Sequence, residues 1–300
     1  MTVADHRAGH VAILGRPNVG KSTLLNALVG VKLAAVSPRP QTTRHRIVGI
    51  RSLPAAQLVF MDTPGIHDAR SLLNRRMVDV ARDTLPDADV ALLMLDAEAG
   101  ITRADRTLIG DIRRREVTSL VVVNKLDRVH RPAILPLLEE LARLLPNAEL
   151  VPVSARTGEN LSELLATTAR LLPLGPPLFN EEEITTASER FLVEEGVREQ
   201  LFLQTAQEVP YGTTVHVDTF TDKHGQDGAP LTVVQATILV TRDSHKGIII
   251  GRGGARLKEI GQRARLALEP VLGRKLYLEL FVRVEADWAD NPRRLDELGL

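Results

Sequence analysis

Residues 15–22 read Gly-Arg-Pro-Asn-Val-Gly-Lys-Ser, a GxxxxGK[ST] pattern with the apolar run VAIL on one side and a helical segment, Lys21 to Val29, on the other. A strand, a glycine-rich turn and a helix in that order constrain a fold strongly. The glycines let backbone N–H groups close around an anion, and the helix that follows points its positive end at the same place. The pattern predicts a phosphate cradle in which Gly15 and Gly20 shape the loop and Lys21 bridges the β- and γ-phosphates of a nucleotide. The Ser22 hydroxyl would ligate Mg²⁺, with Thr23 beside it in the nucleotide site.

The rest of the first half repeats this rhythm. VAILG, LVFMD, VALLMLD, LVVVNK and ELVPVSA are short apolar runs separated by longer amphipathic segments. The alternation predicts an α/β domain, a mostly parallel sheet with helices on both faces, over residues 1–173. From Leu172 to Ile184 the rhythm breaks, with three prolines, a glycine and three consecutive glutamates. We assign residues 174–185 as a linker and residues 186–300 as a smaller α+β domain. In it, Thr186 to Glu208 reads as a helix, Thr213 to Thr221 as a strand and Lys223 to Pro230 as a polar turn. A strand from Leu231 to Thr241, a helix from Ala255 to Leu272 and a strand from Lys275 to Val284 complete it.

Bulk composition removes several classes of function. Basic and acidic residues number 38 each, so any site for a polyanion must be a local patch. Cysteine is absent, which excludes disulfides, thiolate metal sites and cysteine nucleophiles. The start, MTVADHRAGH, carries charges where a secretory signal needs an apolar stretch, and no window reaches the length of a membrane span. The expectation is a soluble, cytoplasmic protein.

The base is chosen by Asn124-Lys125-Leu126-Asp127, which follows the apolar run LVVV at the strand end where ligands of such sheets lie. A carboxylate at Asp127 can accept the ring N–H and exocyclic amine of guanine together, and adenine offers no such donor pair. The Lys125 stem can cover the base, Asn124 can tie this loop to the phosphate loop, and Ser154-Ala155 suits a backbone N–H contact to the guanine oxygen. Asp62-Thr63-Pro64-Gly65 ends another apolar run. There Asp62 would hold Mg²⁺ through water and the Gly65 N–H would sense the γ-phosphate. Thr42 and Thr43 lie where a threonine must reach Mg²⁺ in the triphosphate state; Thr43 is favoured, with Thr42 as the fallback.

In many small GTPases a glutamine follows the DxxG glycine and orients the attacking water. Here that residue is Ile66, which can neither donate nor accept a hydrogen bond. Slow intrinsic hydrolysis is expected, with Lys21, Thr43, Gly65 and Asn18 left to act on the transferred phosphate. Asn18 either caps a turn or, as its resemblance to the asparagine that some GTPases place three residues before the phosphate-loop lysine implies, helps to bind a K⁺ ion against the phosphates.

Ile248-Ile-Ile-Gly251-Arg252-Gly253-Gly254 precedes an amphipathic helix, and residues 242–275 contain nine Lys or Arg against three Asp or Glu. Glycines let the backbone approach a nucleic-acid backbone, and the helix N-terminus favours phosphate. Lys246, Gly251, Arg252, Gly253, Gly254, Arg256 and Lys258 are the candidate RNA-binding residues. The GxxG loop and the order of elements resemble a KH domain.

GRPNVGKSTLLNALVG, PQTTRHRIVGI, DTPGIH, NKLD, VSARTG, KGIIIGRGG and the ADW…LDELGL tail together resemble the bacterial Era family of GTPases over essentially the whole chain. The resemblance implies a monomeric GTP/GDP-binding assembly factor of the small (30S) ribosomal subunit that grips the 3′ end of the subunit's RNA according to nucleotide state. It also implies weak peripheral membrane association in some members, although the sequence offers no spanning helix and no obvious amphipathic anchor. Arg252 stands where the family usually has lysine, and Leu300 where it usually has a terminal tyrosine. A rival expectation is a signalling GTPase whose second domain contacts protein or membrane.

Overall fold

The computed structural model describes residues 6–65, 71–225 and 228–300, and these divide into two compact units. The first comprises residues 6–32, 43–65 and 76–186; the second comprises 33–42, 71–75 and 187–300. Ile66, on which the expectation of slow hydrolysis rests, lies outside the described residues.

In the first unit, strands β1 (Arg7–Leu14), β2 (Ile47–Leu53), β3 (Ala56–Asp62), β4 (Val90–Asp96), β5 (Ser119–Asn124) and β6 (Glu149–Pro152) form one sheet ordered β2-β3-β1-β4-β5-β6. All neighbours are parallel except β2 and β3, which form an antiparallel hairpin across a two-residue turn. Every residue of β3 and β4 is buried, as strands in a sheet covered on both faces must be. Helices α1 (Lys21–Val29), α3 (Arg103–Arg115), α4 (Leu135–Leu144), α5 (Leu161–Leu171) and, from Arg76 onward, α2 (Leu72–Asp83) connect the strands. On one side, Leu93, Leu95, Val121 and Val123 pack against Leu108, Ile109 and Ile112 of α3 and Leu141 of α4. Contacts of this kind hold the sheet rigid, so the C-terminal ends of β1, β3, β4 and β5 present their loops at fixed positions.

The proline-rich stretch does not hang free of this unit. Buried Gln57 on β3 accepts from the backbone N–H groups of Leu178 and Phe179 at 2.7 and 2.9 Å and donates to the Phe179 carbonyl at 2.9 Å. Farther along, the Ile50 N–H donates to the Ile184 carbonyl and the Thr185 hydroxyl to the Val48 carbonyl.

The second unit is a three-stranded sheet, β7 (Thr213–His224), β8 (Pro230–Val240) and β9 (Lys275–Val284), with β7 antiparallel and β9 parallel to the central β8. Helices α6 (Glu189–Gln204) and α8 (Ala255–Leu272) pack together and onto it. Two shorter helices complete the unit, α7 (Asp243–Ile250) and α9 (Pro292–Glu297). The strand and helix order expected from the sequence is present, and α7 is an addition to it: eight residues with Gly247 inside and three consecutive isoleucines carry no helical signature of their own.

Residues 33–42 cluster with this unit although they follow α1 in the chain. Three buried charges on α6 hold them. Arg198, ion-paired with Glu195, donates to the Thr42 carbonyl, and Glu199 Oε1 accepts from the Val36 N–H at 3.0 Å. Among the described residues, no helix is long and apolar enough to cross a membrane.

Candidate functional site

The phosphate loop runs from the end of β1 into α1. Gly20, at φ 103°, caps the helix in a left-handed conformation, and a Cβ there would collide with the Asn124 amide. Lys21 is buried beneath the loop, its Nζ donating to the carbonyls of Gly15 at 2.9 Å and Arg16 at 3.2 Å. Burial lowers its pKa to about 8; the Asp62 charge opposes this and Arg16 adds to it. Asn18 sits exposed at φ 64°, and Thr23 is half-buried in the first turn of α1.

Three oxygens converge beside the lysine. Ser22 Oγ lies 2.6 Å from Thr43 Oγ1 and donates to Asp62 Oδ2 at 2.6 Å. Thr42, by contrast, turns its hydroxyl back onto its own loop, to Ser37 Oγ at 2.6 Å and the Arg39 carbonyl at 2.8 Å. Two hydroxyls and a carboxylate are the donor set that a hard divalent cation prefers, so the residues present fit Mg²⁺. Gly65 rests against the phosphate loop so closely that a Cβ would stand 2.7 Å from the N and Cα of Pro17.

At the neighbouring strand end, Asn124 joins three segments: its Nδ2 donates to the Val19 carbonyl at 2.8 Å and its Oδ1 accepts from the Ala155 N–H at 2.9 Å. The Ala155 amide that suits a guanine oxygen is therefore already used, and a base would have to share it or take it over. Lys125, in the left-handed region at φ 72°, donates to Asp96 Oδ2 at 2.6 Å. Burial pushes the Asp96 carboxyl up, but the hydrogen bond and charge of Lys125 outweigh it and leave the group below the usual carboxylate range. Asp127 Oδ1 accepts from Ser154 Oγ at 2.6 Å, and its Oδ2 lies 2.7 Å from Arg156 Nη2. The Ser154 hydrogen bond is the main cause that holds the Asp127 carboxyl low, desolvation opposes it, and the Arg156 charge reinforces it.

Sequence reasoning missed Asp96, Arg16 and Arg156. Arg16 places its guanidinium 3.5 Å from Asp105 and 3.9 Å from Asp96, so the phosphate loop and the Lys125 anchor share one charge network. A signal for Asp96 was available: it ends the apolar run VALLMLD, at the same edge of the sheet as Asp62 and Asn124.

In the second unit, Gly251, Gly253 and Gly254 all have positive φ, which makes the turn between α7 and α8 a glycine device. Arg252 is exposed on it. Gly254 and Lys258 line a groove of about 710 Å³ together with Gln262 and Arg265 from α8 and Tyr277 from β9. Lys246 is half-buried on α7, and exposed Arg256 donates to the Ile248 carbonyl at 2.8 Å. The result is an aromatic and apolar floor with cations along one wall, a surface on which bases can stack while phosphates are held.

Residues 10–125 match the family described as 50S ribosome-binding GTPase, and residues 208–289 match the KH domain family. The chain is 46% identical to GTPase Era of Geotalea daltonii, covering 100% of this chain and 99% of that protein, and 45% identical to GTPase Era of Stenotrophomonas maltophilia, covering 98% and 97%. Two solved structures superpose with TM-scores of 0.93 at 42% identity, covering 98% of this chain and 99% of theirs: an Aquifex aeolicus Era variant bound to GDP and AlF4⁻, and an Era complex with MgGDPNP and nucleotides 1506–1542 of 16S ribosomal RNA. With a nucleotide site on one unit, a GxxG groove on the other and end-to-end identity of this order, the chain belongs to the Era family of GTPases.

Proposed function

We propose that this chain couples GTP hydrolysis to binding of small-subunit ribosomal RNA near its 3′ end during assembly of the 30S subunit. The observation that carries the reading is the presence, in one chain, of a lysine-bearing phosphate loop and a GxxG groove with a cationic wall, aligned over 98% of its length with an Era that was solved holding both MgGDPNP and 16S RNA.

In this reading the main-chain amides of residues 15–22 and the Lys21 ammonium hold the phosphates, and Asp127 takes the base. Ser22 and Thr43 would hold Mg²⁺, with Asp62 behind them through water. The ion, when bound, neutralises charge that develops on the transferred phosphate. Gly65, against Pro17, places its N–H to sense whether a γ-phosphate is present. Asn18 supports K⁺ beside the phosphates, where a cation would take the part of an arginine finger. The test is fluorescence anisotropy with a 3′-terminal small-subunit RNA fragment. Affinity should be roughly five- to a hundredfold higher with a non-hydrolysable GTP analogue than with GDP. Arg252→Glu with Lys246→Glu should weaken RNA binding by about tenfold or more and leave GTP turnover intact. RNA affinity unchanged by that double substitution, with turnover intact, would favour the signalling alternative instead.

A further inference from the structure

The two oxygens of Asp127 are held differently. Ser154 Oγ donates to Oδ1, whereas Oδ2 is closed off from solvent, makes no hydrogen bond among the described residues, and has the Arg156 guanidinium as its ion-pair neighbour, Nη2 at 2.7 Å. The partners differ in how firmly they are held. Ser154 is fully buried, whereas the Arg156 side chain is 68% exposed and reaches over the carboxylate from the surface. To accept the N1–H and exocyclic N–H of guanine, the carboxylate needs Oδ2 as well as Oδ1. The fragment of guanine that carries those donors is a carbon bonded to three nitrogens, the same unit as an arginine guanidinium, so both present parallel N–H groups to a carboxylate.

We infer that Arg156 is a built-in competitor of guanine at Asp127, a residue that sets nucleotide affinity by standing at the seat of the base's donor edge and that must swing outward as a guanine nucleotide enters. The inference rests on the reading that Asp127 takes guanine. Displacement is inexpensive because the pair is exposed on the arginine side, and an arginine released into water keeps its hydration. The residue therefore lowers guanine-nucleotide affinity without abolishing it, and its influence is electrostatic and local to one oxygen.

Equilibrium binding of GDP to the full chain tests this. Arg156→Gln should tighten GDP binding by up to about fivefold at low salt, the range of an exposed ion pair. The gain should fade toward none near about 1 M salt, where such pairs are screened. A second arm uses Asp127→Asn with xanthosine diphosphate, whose C2 carbonyl can accept from the asparagine amide. With no carboxylate for Arg156 to cover, adding Arg156→Gln should change xanthosine diphosphate affinity by less than about twofold. Unchanged or weaker GDP binding in Arg156→Gln overturns the inference, as does an equal gain on xanthosine diphosphate in the Asp127→Asn background. A wild-type protein that does not prefer GDP to ADP sinks the guanine reading and the inference with it; a guanine-selective protein indifferent to Arg156→Gln sinks the inference alone.

Discussion

Lys21 carries its charge in a place where the protein alone does little to stabilise it. Burial lowers its pKa to about 8, and the nearby Asp62 recovers only part of the loss. A polyphosphate raises that pKa again, so binding above pH 8 requires uptake of a proton. The sign follows: nucleotide affinity is at its full value below pH 8, where free Lys21 is already charged, and is lost as pH rises through and past 8. The dissociation constant for GDP should increase by roughly tenfold between pH 7 and pH 9. Calorimetry in two buffers of different ionisation enthalpy at pH 8.5 would register the proton, and Lys21→Met should bind weakly at every pH with no uptake. The residues of this pocket differ in how readable they are. Gly15, Gly20, Lys21 and Ser22 act within one turn of chain, so their spacing discloses them. Asp96 acts because the parallel β4–β5 register sets it opposite Asn124, and Arg156 because a loop returns over Asp127. Neither relation exists before the sheet does. Thr42 and Thr43 differ only in which way a hydroxyl points, and that direction is set by the turn at Ser37 to Thr42.

Elements show the same division between local and distant causes. β1, β3, β4 and β5 announce themselves as continuous apolar runs because both of their faces are covered. β2 does not, since IVGIRSL is a half-exposed edge strand whose pairing comes from the hairpin to β3. The proline-rich stretch reads as a linker by composition, yet Gln57 fastens it to the sheet, a partnership 121 residues apart in sequence for the Leu178 amide. On α6, a helix pattern says nothing of Glu195, Arg198 and Glu199 being buried, because the segment they hold comes from residues 33–42. Removing one member of a buried ion pair leaves the other charge uncompensated, so Glu195→Ala should destabilise the second unit by about 3–5 kcal/mol. Replacing both, Glu195→Leu with Arg198→Met, should recover most of that loss, since apolar side chains of similar size often substitute for a buried pair at little cost. Trp288 is the single tryptophan, is buried in this unit, and reports its unfolding by fluorescence in urea. Equal destabilisation in the single and double variants would show that losing the Arg198 contact to the Thr42 carbonyl costs as much as leaving its charge uncompensated.

At the scale of the molecule, one of the points where the chain passes from one unit to the other lies between Thr42 and Thr43. Thr42 belongs to the second, its carbonyl held by Arg198, and Thr43 to the first, its hydroxyl beside Ser22 and Asp62. The two residues share one planar peptide unit, so what fixes Thr43 restricts Thr42, whose carbonyl Arg198 of α6 holds. A ligand that binds only the folded first unit stabilises that unit by about 2.7 kcal/mol at a hundred times its dissociation constant. Without a connection, the tryptophan transition of the second unit would ignore it. Through Thr43, a non-hydrolysable GTP analogue with Mg²⁺ should move the Trp288 transition as well. GDP, which lacks the γ-phosphate, should move it less. Thr43→Ala should leave the far-ultraviolet transition of the first unit responsive to GDP and abolish the response of Trp288 to the analogue. A Trp288 transition equally indifferent to both nucleotides in the wild-type chain would mean that residues 33–42 absorb the change themselves, and that any coupling to the GxxG groove runs by another route.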